Sequence, residues 1–476
     1  MKQGYLIVDI GTGNSRVGVI STEGELLATV TKDSAYHTDE DFPDSIYFST
    51  EEWIQTLHKL IKEALAQAGE VQILALSASS QRQGIVLISD TGESLVGYQN
   101  GDNRGAEYLG EVDWGTVKEL TGLEPLPIYS GLKFLGTTKR QPYVAEKTRF
   151  FTSISDWIGY LFTGEIVYER SHAIQTALYD VKRRCWSDRL CMAVGVDKAK
   201  LPPIAEAGTI LGRIKPELAE SFGLDARTVF IVGAADTQIA LVGSVAEEDE
   251  VTIISGTTTP VVKIKDSFRF FPCWNSPHAV DGQYMLEVNA ASTGINLQRF
   301  RDLLLPQYSY EELIAACNPE RPPECMAMYG MCPHQGDIPP FSGAFLTTNP
   351  LSHTLEPSDF FHALSLDIAM SVTLCVTRIN ALDPYAKDYL VGCGGGLRSH
   401  VVTQAIADLT GFRLHLYKGF DQATMMGCMY LCSRALGFPT RRRELQQVIT
   451  PHDNPALQAY FEKWKHLREC IKQMNE

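Results

Sequence analysis

Two stretches of this sequence, about half the chain length apart, repeat the same pattern. Residues Tyr5–Ile20 read YLIVDIGTGNSRVGVI, and residues Val251–Ile264 read VTIISGTTTPVVKI. Each pattern predicts an apolar strand, a tight turn that carries Gly-Thr, and a second strand. A repeat at this distance predicts two similar domains, each presenting a turn of small residues to the space between them. Because such turns bring backbone N–H groups close to phosphate oxygens, the repeat predicts a phosphate-handling cleft.

The length of the chain supports the same division. A chain of 476 residues exceeds what one hydrophobic core usually serves, so two domains are expected, one over residues 1–245 and one over residues 246–476. The acidic run Glu247–Glu250 lies near this boundary and is typical of a solvated surface. Apolar strands alternate with helical patterns along both halves, which predicts the α/β class with mixed sheets covered by helices.

Periodicity and turn residues place the elements approximately. Strands are predicted near residues 5–10, 15–21, 25–32, 71–77, 85–88, 228–232, 388–392 and 413–417, besides the second hairpin. Helices are predicted near residues 51–67, 104–111, 153–162, 188–193, 291–304, 357–381, 398–410, 422–436 and 455–473, and one begins after Asp236. The block from Asn318 to Pro340 receives no assignment.

Composition excludes several classes of partner and compartment. The formal net charge of −15 argues against a nucleic-acid or anionic-membrane surface, because phosphate binding there needs clustered Lys and Arg. The start of the chain has no signal-peptide pattern, and the apolar stretch Phe360–Leu382 is interrupted by polar residues, so a buried helix is expected there. The 11 cysteines form no C-x-x-C and are expected to be reduced thiols, which indicates the cytoplasm.

The first candidate segment for chemistry is Asp9–Arg16, in the first hairpin. An Asp at the end of a buried strand is costly unless it meets a cation or hydrogen-bond donors. Magnesium-bound phosphate would suit Asp9, and the turn after it would supply donors from Thr12, Asn14 and Ser15. The alternative is an ordinary hairpin turn capped by Asp, and the sequence leaves both interpretations open.

The second candidate segment is Ile231–Gln238, where an apolar strand runs into small residues and then into Asp236. One interpretation is that Asp236 is simply the N-cap of the following helix. The other is a carboxylate at the cleft that accepts a proton from a substrate hydroxyl. This segment alone favours the N-cap.

A third segment, Leu390–Ser399, is a glycine-rich turn between a strand and a helix. A dinucleotide motif would need Gly where Leu397 stands, and the chain has no G-x-x-x-x-G-K-[ST], so a P-loop is excluded. A turn without side chains could still accept the flat face of adenine or a ribose. A plain tight turn is the alternative.

The fourth segment is Ser79–Gly84, together with Gly101–Arg104. Hydrogen-bonding side chains cluster there just past a strand, as a polyhydroxylated ligand requires. Arg82 and Arg104 could equally form a structural ion-pair network with Asp102. Both interpretations stay open at this point.

Together and in this order, the four segments resemble the FGGY family of carbohydrate kinases, over nearly the whole chain. The resemblance implies two ribonuclease H-like domains of the actin and hexokinase type with an interdomain cleft. Trp157–Gly164 with Ser171, Ala173 and Thr176 also resembles a family stretch, and Ser77–Leu87 and Ile154–Glu165 are similar to parts of autoinducer-2 kinases. Gln83 stands where His or Glu is usual, which leaves the sugar open.

The resemblance also implies roles for individual residues. Asp236 is the expected catalytic base, and with Asp9 it is expected to hold Mg²⁺. The residues expected to bind the substrate are Gln81, Arg82, Gln83, Asp102, Arg104 and Asp236. The residues expected to bind ATP are Gly11, Thr12, Gly13, Asn14, Ser15, Arg16, Gly256, Thr257, Thr258, Gly394, Gly395, Gly396 and Ser399.

The resulting hypothesis is an ATP-dependent kinase that phosphorylates a hydroxyl of an open-chain sugar, a polyol or an autoinducer-type ligand. One alternative is a two-lobed ATPase without sugar transfer, on the same fold. A second alternative is a catalytically silent sugar-binding regulator. The partner is expected to be a small molecule, not a nucleic acid or a membrane, and a homodimer is one open possibility for the oligomeric state.

Overall fold

In the computed structural model of the protein, two mixed β-sheets with covering helices form two lobes. The residues that the structure describes are 2–40, 42–318, 321–329, 343–439 and 443–475. Part of the unassigned block Asn318–Pro340 lies outside them.

The first lobe contains the following strands and helices. Its strands are β1 (Lys2–Ile10), β2 (Asn14–Ser21), β3 (Leu26–Asp33), β4 (His37–Thr38), β5 (Ile46–Phe48), β6 (Val71–Ser80), β7 (Ile85–Ser89), β8 (Ser94–Tyr98), β9 (Thr148–Ser153), β10 (Tyr168–Glu169), β11 (Tyr179–Asp180), β12 (Cys185–Trp186), β13 (Ile204–Ala205), β14 (Ile210–Arg213) and β15 (Val229–Ile231). Its α-helices are α1 (Thr50–Ala68), α2 (Trp114–Thr121), α3 (Ser130–Arg140), α4 (Pro142–Lys147), α5 (Ile154–Thr163), α6 (Arg170–Ala173), α7 (Asp188–Val194), α8 (Pro216–Phe222) and α9 (Asp236–Gly243).

The second lobe follows the same alternation. Its strands are β16 (Val251–Ile254), β17 (Pro260–Lys265), β18 (Trp274–Pro277), β19 (Tyr284–Asn289), β20 (Met326–Met328), β21 (Ala344–Leu346), β22 (Tyr389–Cys393), β23 (Arg413–Tyr417) and β24 (Leu445–Ile449). Its α-helices are α10 (Gly294–Leu304), α11 (Tyr310–Ala316), α12 (Pro357–Leu382), α13 (His400–Thr410), α14 (Ala423–Ala435) and α15 (Pro455–Asn475).

The two main sheets share one topology, which confirms the repeat seen in the sequence. The first has the order β14-β15-β6-β1-β2-β3, and the second has the order β18-β19-β17-β16-β22-β23-β24. In each sheet an antiparallel hairpin, β1-β2 or β16-β17, is joined on its first strand by a parallel strand, β6 or β22. This is the duplicated ribonuclease H-like arrangement. The exact boundary after residue 245 stays a prediction.

Both faces of the first sheet are buried, but by helices from different parts of the chain. One face packs on α1, α5 and α8 through residues such as Trp53, Trp157 and Phe222. The other face packs on α9 and on α14, which follows β23 in the second half of the sequence. Helix α14 therefore ties the two lobes together through apolar contacts.

Helices α9 and α14 cross at two glycines. A Cβ on Gly243 would lie 1.8 Å from the carbonyl oxygen of Ala423, and a Cβ on Gly427 would lie 2.0 Å from that of Ile239. Only the absence of a side chain allows this approach of the two backbones. Since Asp236 begins α9, the crossing fixes its position relative to α14.

A side sheet in the first lobe positions the segment Ser79–Gly84, which is predicted to bind the sugar and is called the sugar segment below. Its order is β4-β5-β8-β7-β9, and the chain passes from the main sheet into it between β6 and β7. Gln83 occupies this corner with a φ of 61°, in the left-handed region. The polar residues after Ser80 therefore lie at a sharp bend between two sheets.

One predicted helix differs in type from the expectation. Residues Ala106–Glu111 form a 3-10 helix, where an α-helix near 104–111 was expected. Gly105 enters this turn, and a Cβ there would lie 2.2 Å from the carbonyl oxygen of Leu132. Glycine favours such a close approach and weakens helix propagation.

The long apolar helix and the cysteines match the sequence expectations where they are described. By length and composition α12 could cross a membrane, but 83% of its most apolar window is buried inside the protein. The described cysteines are free thiols, and Cys325, Cys428 and Cys432 are buried. Helix α12 is therefore the core helix of the second lobe.

Candidate active site

The turn Gly11–Asn14, predicted to contact phosphate and called the first phosphate turn, joins β1 to β2 soon after Asp9. The N–H of Gly11 donates to the carbonyl oxygen of Asn14 at 2.9 Å, which closes the hairpin. Thr12 Oγ1 accepts a hydrogen bond from Asn100 Nδ2 at 3.0 Å. Gly11–Asn14 are half-buried. The turn therefore presents backbone groups at the surface of the cleft and is tied to the loop that carries Asp102.

Asp9 is buried, with 3% of its surface exposed, and its carboxylate is fully supplied with donors. Oδ1 accepts from Ser79 Oγ at 2.8 Å, and Oδ2 accepts from Thr424 Oγ1 at 2.8 Å and from Arg16 Nη2 at 2.5 Å. Thr424 lies in the first turn of α14, so Asp9 joins the lobes. These donors are the compensation that a buried charge requires.

The second phosphate turn, Ser255–Thr259, has the same construction. The N–H of Gly256 donates to the carbonyl oxygen of Thr258 at 2.9 Å. Gly256 is exposed, and Thr257 and Thr258 are half-buried. A Cβ on Gly294, at the start of α10, would lie 2.1 Å from the carbonyl oxygen of Gly256. The turn is therefore backed by a helix and leaves an open side.

The glycine-rich turn packs directly on the second phosphate turn. A Cβ on Gly394, whose φ is 99°, would lie 2.3 Å from the carbonyl oxygen of Ser255, and a Cβ on Gly396 would lie 2.2 Å from Ser255 Oγ. Gly395 has open space around it. Ser399 caps α13 and accepts from the N–H of Val402 at 3.5 Å. Packing thus accounts for two of the glycines, and Gly395 and Gly396 are exposed.

Two polar side chains of the sugar segment point to partners within the first lobe. Gln81 Nε2 donates to Tyr36 Oη at 3.1 Å, while its Oε1 accepts from the N–H of Asn100 at 3.1 Å. Gln83 Nε2 donates to Gln175 Oε1 at 2.6 Å. Gln81, Gln83 and Gln175 are all buried. These contacts fix the amides at the bend between the two sheets.

The predicted network of Arg82, Arg104 and Asp102 is two separate ion pairs. Arg104 Nη2 and Nε both contact the Asp102 carboxylate, at 2.9 Å and 2.9–3.1 Å, and both residues are buried. Arg82 instead forms a bidentate pair with Glu287 of β19, in the second lobe. The ion-pair interpretation therefore holds for Asp102 and Arg104, and Arg82 has a partner that the sequence did not indicate.

Asp236 is the first residue of α9, and Ala235 occupies the N-cap, so the N-cap interpretation of Asp236 is wrong. Its Oδ1 accepts from the N–H of Thr237 at 2.7 Å. Burial raises the pKa of Asp236 to about 6. The charge of Arg82 lowers this pKa, and the carboxylates of Asp9 and Glu287 raise it. The carboxylate of Asp236 is therefore close enough to that of Asp9 for the two charges to interact, and its pKa lies near neutrality.

Strand register explains why these carboxylates meet. Asp9 on β1 pairs with Ser79 on the parallel strand β6, and the next residue, Ser80, forms a bridge with Ala235. The carboxyl ends of parallel strands meet at one edge of a sheet, where α/β proteins place their ligands. Asp9 and Asp236 are distant in sequence but neighbours at this edge.

Several contacts of the predicted residues were missed by the sequence reasoning. These residues are Asn100, Gln175, Trp274, Glu287 and Thr424. Glu287 had one signal, since it is a charged residue within the otherwise apolar run Met285–Val288, and it is buried. A buried carboxylate requires a cation or hydrogen-bond donors, so the sequence indicated that Glu287 has such a partner but not that the partner is Arg82.

Comparison with known proteins assigns the chain to a family. The N-terminal domain of the FGGY family of carbohydrate kinases matches residues 4–243, and the C-terminal domain of that family matches residues 312–436. The candidate sugar kinase YoaC of Bacillus subtilis (strain 168) is 36% identical over 98% of this chain and 96% of its own length.

Two further comparisons agree. An autoinducer-2 kinase of Salmonella paratyphi B is 27% identical over 97% of this chain and 93% of its own length. A ligand-bound xylulose kinase from Lactobacillus acidophilus has the same fold, with a TM-score of 0.81 at 20% identity, over 99% of this chain and 98% of that one. The chain therefore belongs to the FGGY family of carbohydrate kinases, phosphotransferases that use an alcohol group as acceptor.

Proposed function

We propose that this protein transfers the γ-phosphate of ATP to a hydroxyl of an open-chain sugar, a polyol or an autoinducer-type ligand. The observation that carries the proposal is Asp236, a carboxylate with a pKa of about 6 beside Arg82 and within the electrostatic influence of Asp9. A base that titrates near neutrality is suited to take a proton from a hydroxyl.

In this proposal Asp236 is the catalytic base. The acceptor hydroxyl lies within hydrogen-bond reach of its carboxylate and gives up its proton as the oxygen attacks phosphorus. Asp236 Oδ1 already accepts from the N–H of Thr237, which orients the carboxylate at the start of α9. Phosphoryl transfer asks the protein mainly for positioning and charge neutralisation, and this geometry supports both.

The nucleotide is held by the two phosphate turns and by the glycine-rich turn. Gly11–Arg16 and Gly256–Thr258 contact the phosphates from the two lobes, while Gly394–Gly396 accept the adenosine. Ser399 contributes by capping α13 beside this turn. Arg16 is paired with Asp9 through Nη2, and among the described residues its buried Nε has no hydrogen-bond partner, so a donor is left for a phosphate oxygen.

The donor set of the cleft fits Mg²⁺. This ion is usually held by one or two carboxylates, water and substrate phosphates, and Asp9 and Asp236 are two hard carboxylates that interact electrostatically. Both oxygens of Asp9 already accept hydrogen bonds, so Asp9 would act through water. Mg²⁺ bound with the nucleotide would neutralise phosphate charge.

In this proposal the residues that bind and orient the substrate are Gln81, Arg82, Gln83, Asp102 and Arg104. Gln81 and Gln83 supply amide groups at the bend, and the Asp102–Arg104 pair holds the loop beside them. Asp102 Oδ2 accepts from the N–H of Ile46 at 2.7 Å, which anchors that loop to β5. This arrangement supports recognition of several hydroxyl groups.

The test is an acceptor panel assayed with ATP and Mg²⁺. D-xylulose, glycerol and autoinducer-2 precursor are each offered to the parental protein and to Asp236→Asn, and acceptor-dependent ADP release is measured. We expect at least one acceptor to stimulate ADP release, and the variant to lose at least about a hundredfold in rate. Asp188→Asn, at the first position of the exposed end of α7, is the matched control.

The two alternatives predict different results. ADP release that no acceptor stimulates would support a plain ATPase. Sugar binding in isothermal titration without a phosphorylated product would support a silent regulator. We propose that the reaction takes place in the cytoplasm, because the cysteines of the described residues are free thiols and because the reaction needs ATP.

A further inference from the structure

A bidentate ion pair crosses from one lobe to the other at the catalytic edge. Arg82 Nη1 donates to Glu287 Oε2 at 2.6 Å, and Arg82 Nη2 donates to Glu287 Oε1 at 2.8 Å. The two side chains are 12% and 1% exposed. Removing either partner from such a buried pair leaves an uncompensated charge, so the two residues act as a unit.

The pair stands beside the proposed base. The Cζ atom of Arg82 lies 5.6 Å from the ring centroid of Trp274, on the neighbouring strand β18. Asp236 follows Ala235, which forms a bridge with Ser80, and Arg82 comes two residues after Ser80. Arg82 and the first residue of α9 therefore lie at the same strand end.

Glu287 is also joined to the second phosphate turn. Its Oε1 accepts from Asn289 Nδ2 at 3.2 Å, and Asn289 Oδ1 accepts from the N–H of Ala291 at 2.9 Å. The N–H of Ala290 donates to the carbonyl oxygen of Thr259, the last residue of that turn, at 3.0 Å. A displacement of the turn therefore carries Glu287 with it.

We propose that Glu287 is a positioning residue of the transfer reaction, which holds the Arg82 guanidinium beside Asp236 and links it to the second phosphate turn. The charged centre is then complete only when the two lobes lie together. This inference rests on the proposed function and adds to it a residue from the second lobe. The positioning role also explains why two N–H groups of Arg82 donate to a protein carboxylate.

The separation of kcat from KM, and rescue by the conservative variant, distinguish this role from a simple structural bridge. Glu287→Gln loses the charge that holds the Arg82 guanidinium, whereas Glu287→Asp keeps it. A bridge that only holds the lobes together would lower stability and leave kcat of the folded protein near the parental value.

The first measurement is kcat and KM for Glu287→Gln, Glu287→Asp and Arg82→Gln. Arg82→Gln removes the group that Glu287 holds, so it should lower kcat at least as much as Glu287→Gln does. Glu287→Asp keeps the charge and should recover most of the parental kcat. The value of kcat should fall at least about tenfold in Glu287→Gln, while KM for ATP changes less than about threefold.

Glu119→Gln is the matched control, because Arg189 and Glu119 form a bidentate pair at 3.2 and 3.0 Å on the exposed surface. It should leave kcat and KM at parental values. Equal kcat values in the parental protein and Glu287→Gln would overturn the role of Glu287. A parental protein that no acceptor stimulates would instead contradict the proposed function.

A second measurement needs no acceptor. Hydrogen–deuterium exchange of the full chain with ADP and Mg²⁺ is followed in peptides that cover the bend after β6 and strand β19. We expect Glu287→Gln to raise exchange in both peptides and Glu119→Gln to leave both unchanged, because only the first variant breaks the link between the lobes. Parental exchange in both peptides of Glu287→Gln would overturn the proposal by itself.

Discussion

Asn100 Nδ2 donates to Thr12 Oγ1 at 3.0 Å, and the backbone N–H of the same Asn100 donates to Gln81 Oε1 at 3.1 Å. One residue therefore connects the first phosphate turn with the segment assigned to the sugar. Neither bond involves sequence neighbours, since 88 and 19 residues separate the partners. In a kinase, donor and acceptor must be held in register, so we expect Asn100 to help to set that register.

We expect Asn100→Ala to uncouple the two segments. Loss of one side-chain hydrogen bond costs about 1 kcal/mol, so kcat/KM for the acceptor should fall about fivefold while the fold persists. Steady-state kinetics and thermal unfolding measure the two effects. Asn380→Ala, which removes a side-chain bond to the N–H of Tyr385 in an exposed loop, is the control. Unchanged kinetics would remove Asn100 from the site.

The pKa of Asp236 sets an acid limit to activity. A base with a pKa of about 6 is protonated at lower pH, so kcat/KM should fall about tenfold per pH unit below about pH 6 and level off above it. The measurement is kcat/KM for the acceptor from about pH 5 to about pH 8. A flat profile over that range would exclude Asp236 as the base.

Gly427 should tolerate no larger side chain. A Cβ there would lie 2.0 Å from the carbonyl oxygen of Ile239, a backbone atom that cannot give way as the end of a flexible side chain can. We expect Gly427→Val to lose at least about 2 kcal/mol of unfolding free energy, measured by urea denaturation. Gly110→Ala, with open space around the new methyl group, should cost little. Equal stability of the two variants would contradict the packing argument.

Glu169 should make the protein less stable as pH rises towards about 8. Burial raises the pKa of Glu169 to about 8, and burial likewise raises that of Asp156, nearby, to about 7. A carboxyl whose pKa is raised by folding stabilises the protein below the pKa of the unfolded chain, and this stability is lost as pH rises to the folded value. Folding therefore favours the protonated Glu169.

Glu169→Gln removes one of these titrations. We expect the variant to lose less unfolding free energy than the parental protein between about pH 6 and about pH 9, and thermal melts across that range measure it. Glu124→Gln, on the exposed surface, is the control. Parallel stability curves for the variant and the parental protein would show that Glu169 is ionised in the folded state.

Much of the fold follows from local patterns. The hairpin at Asp9–Arg16 and its echo at Ser255–Thr258 combine apolar strands with turns of small residues, and both appear where expected. The helix at α1 follows from Trp53, Leu57 and Leu60 at helical spacing. The 3-10 turn at Ala106–Glu111 does not follow, because periodicity alone does not reveal that Gly105 must pack on Leu132.

The candidate site was predicted as a set of residues but not as a set of contacts. Asp9, Asp236, Gln81 and Arg82 were all named from the sequence. Their partners Thr424, Asn100 and Glu287 were not, because hydrogen bonds between residues distant in the sequence follow no fixed spacing. The alternative interpretation of Asp236 as an N-cap is wrong by one residue, since Ala235 takes that position.

The sequence by itself determined the two-lobed plan, the phosphate turns and the carboxylates, because strand, turn and helix preferences are local and each motif is short. Only the tertiary structure decided which charges meet. Asp102 pairs with Arg104, and Arg82 pairs with Glu287 of the other lobe. The charge of Asp9 raises the pKa of Asp236. The physical reason is that the cost of burying a charge is met by whichever partner folding brings near, and that partner can lie anywhere in the chain.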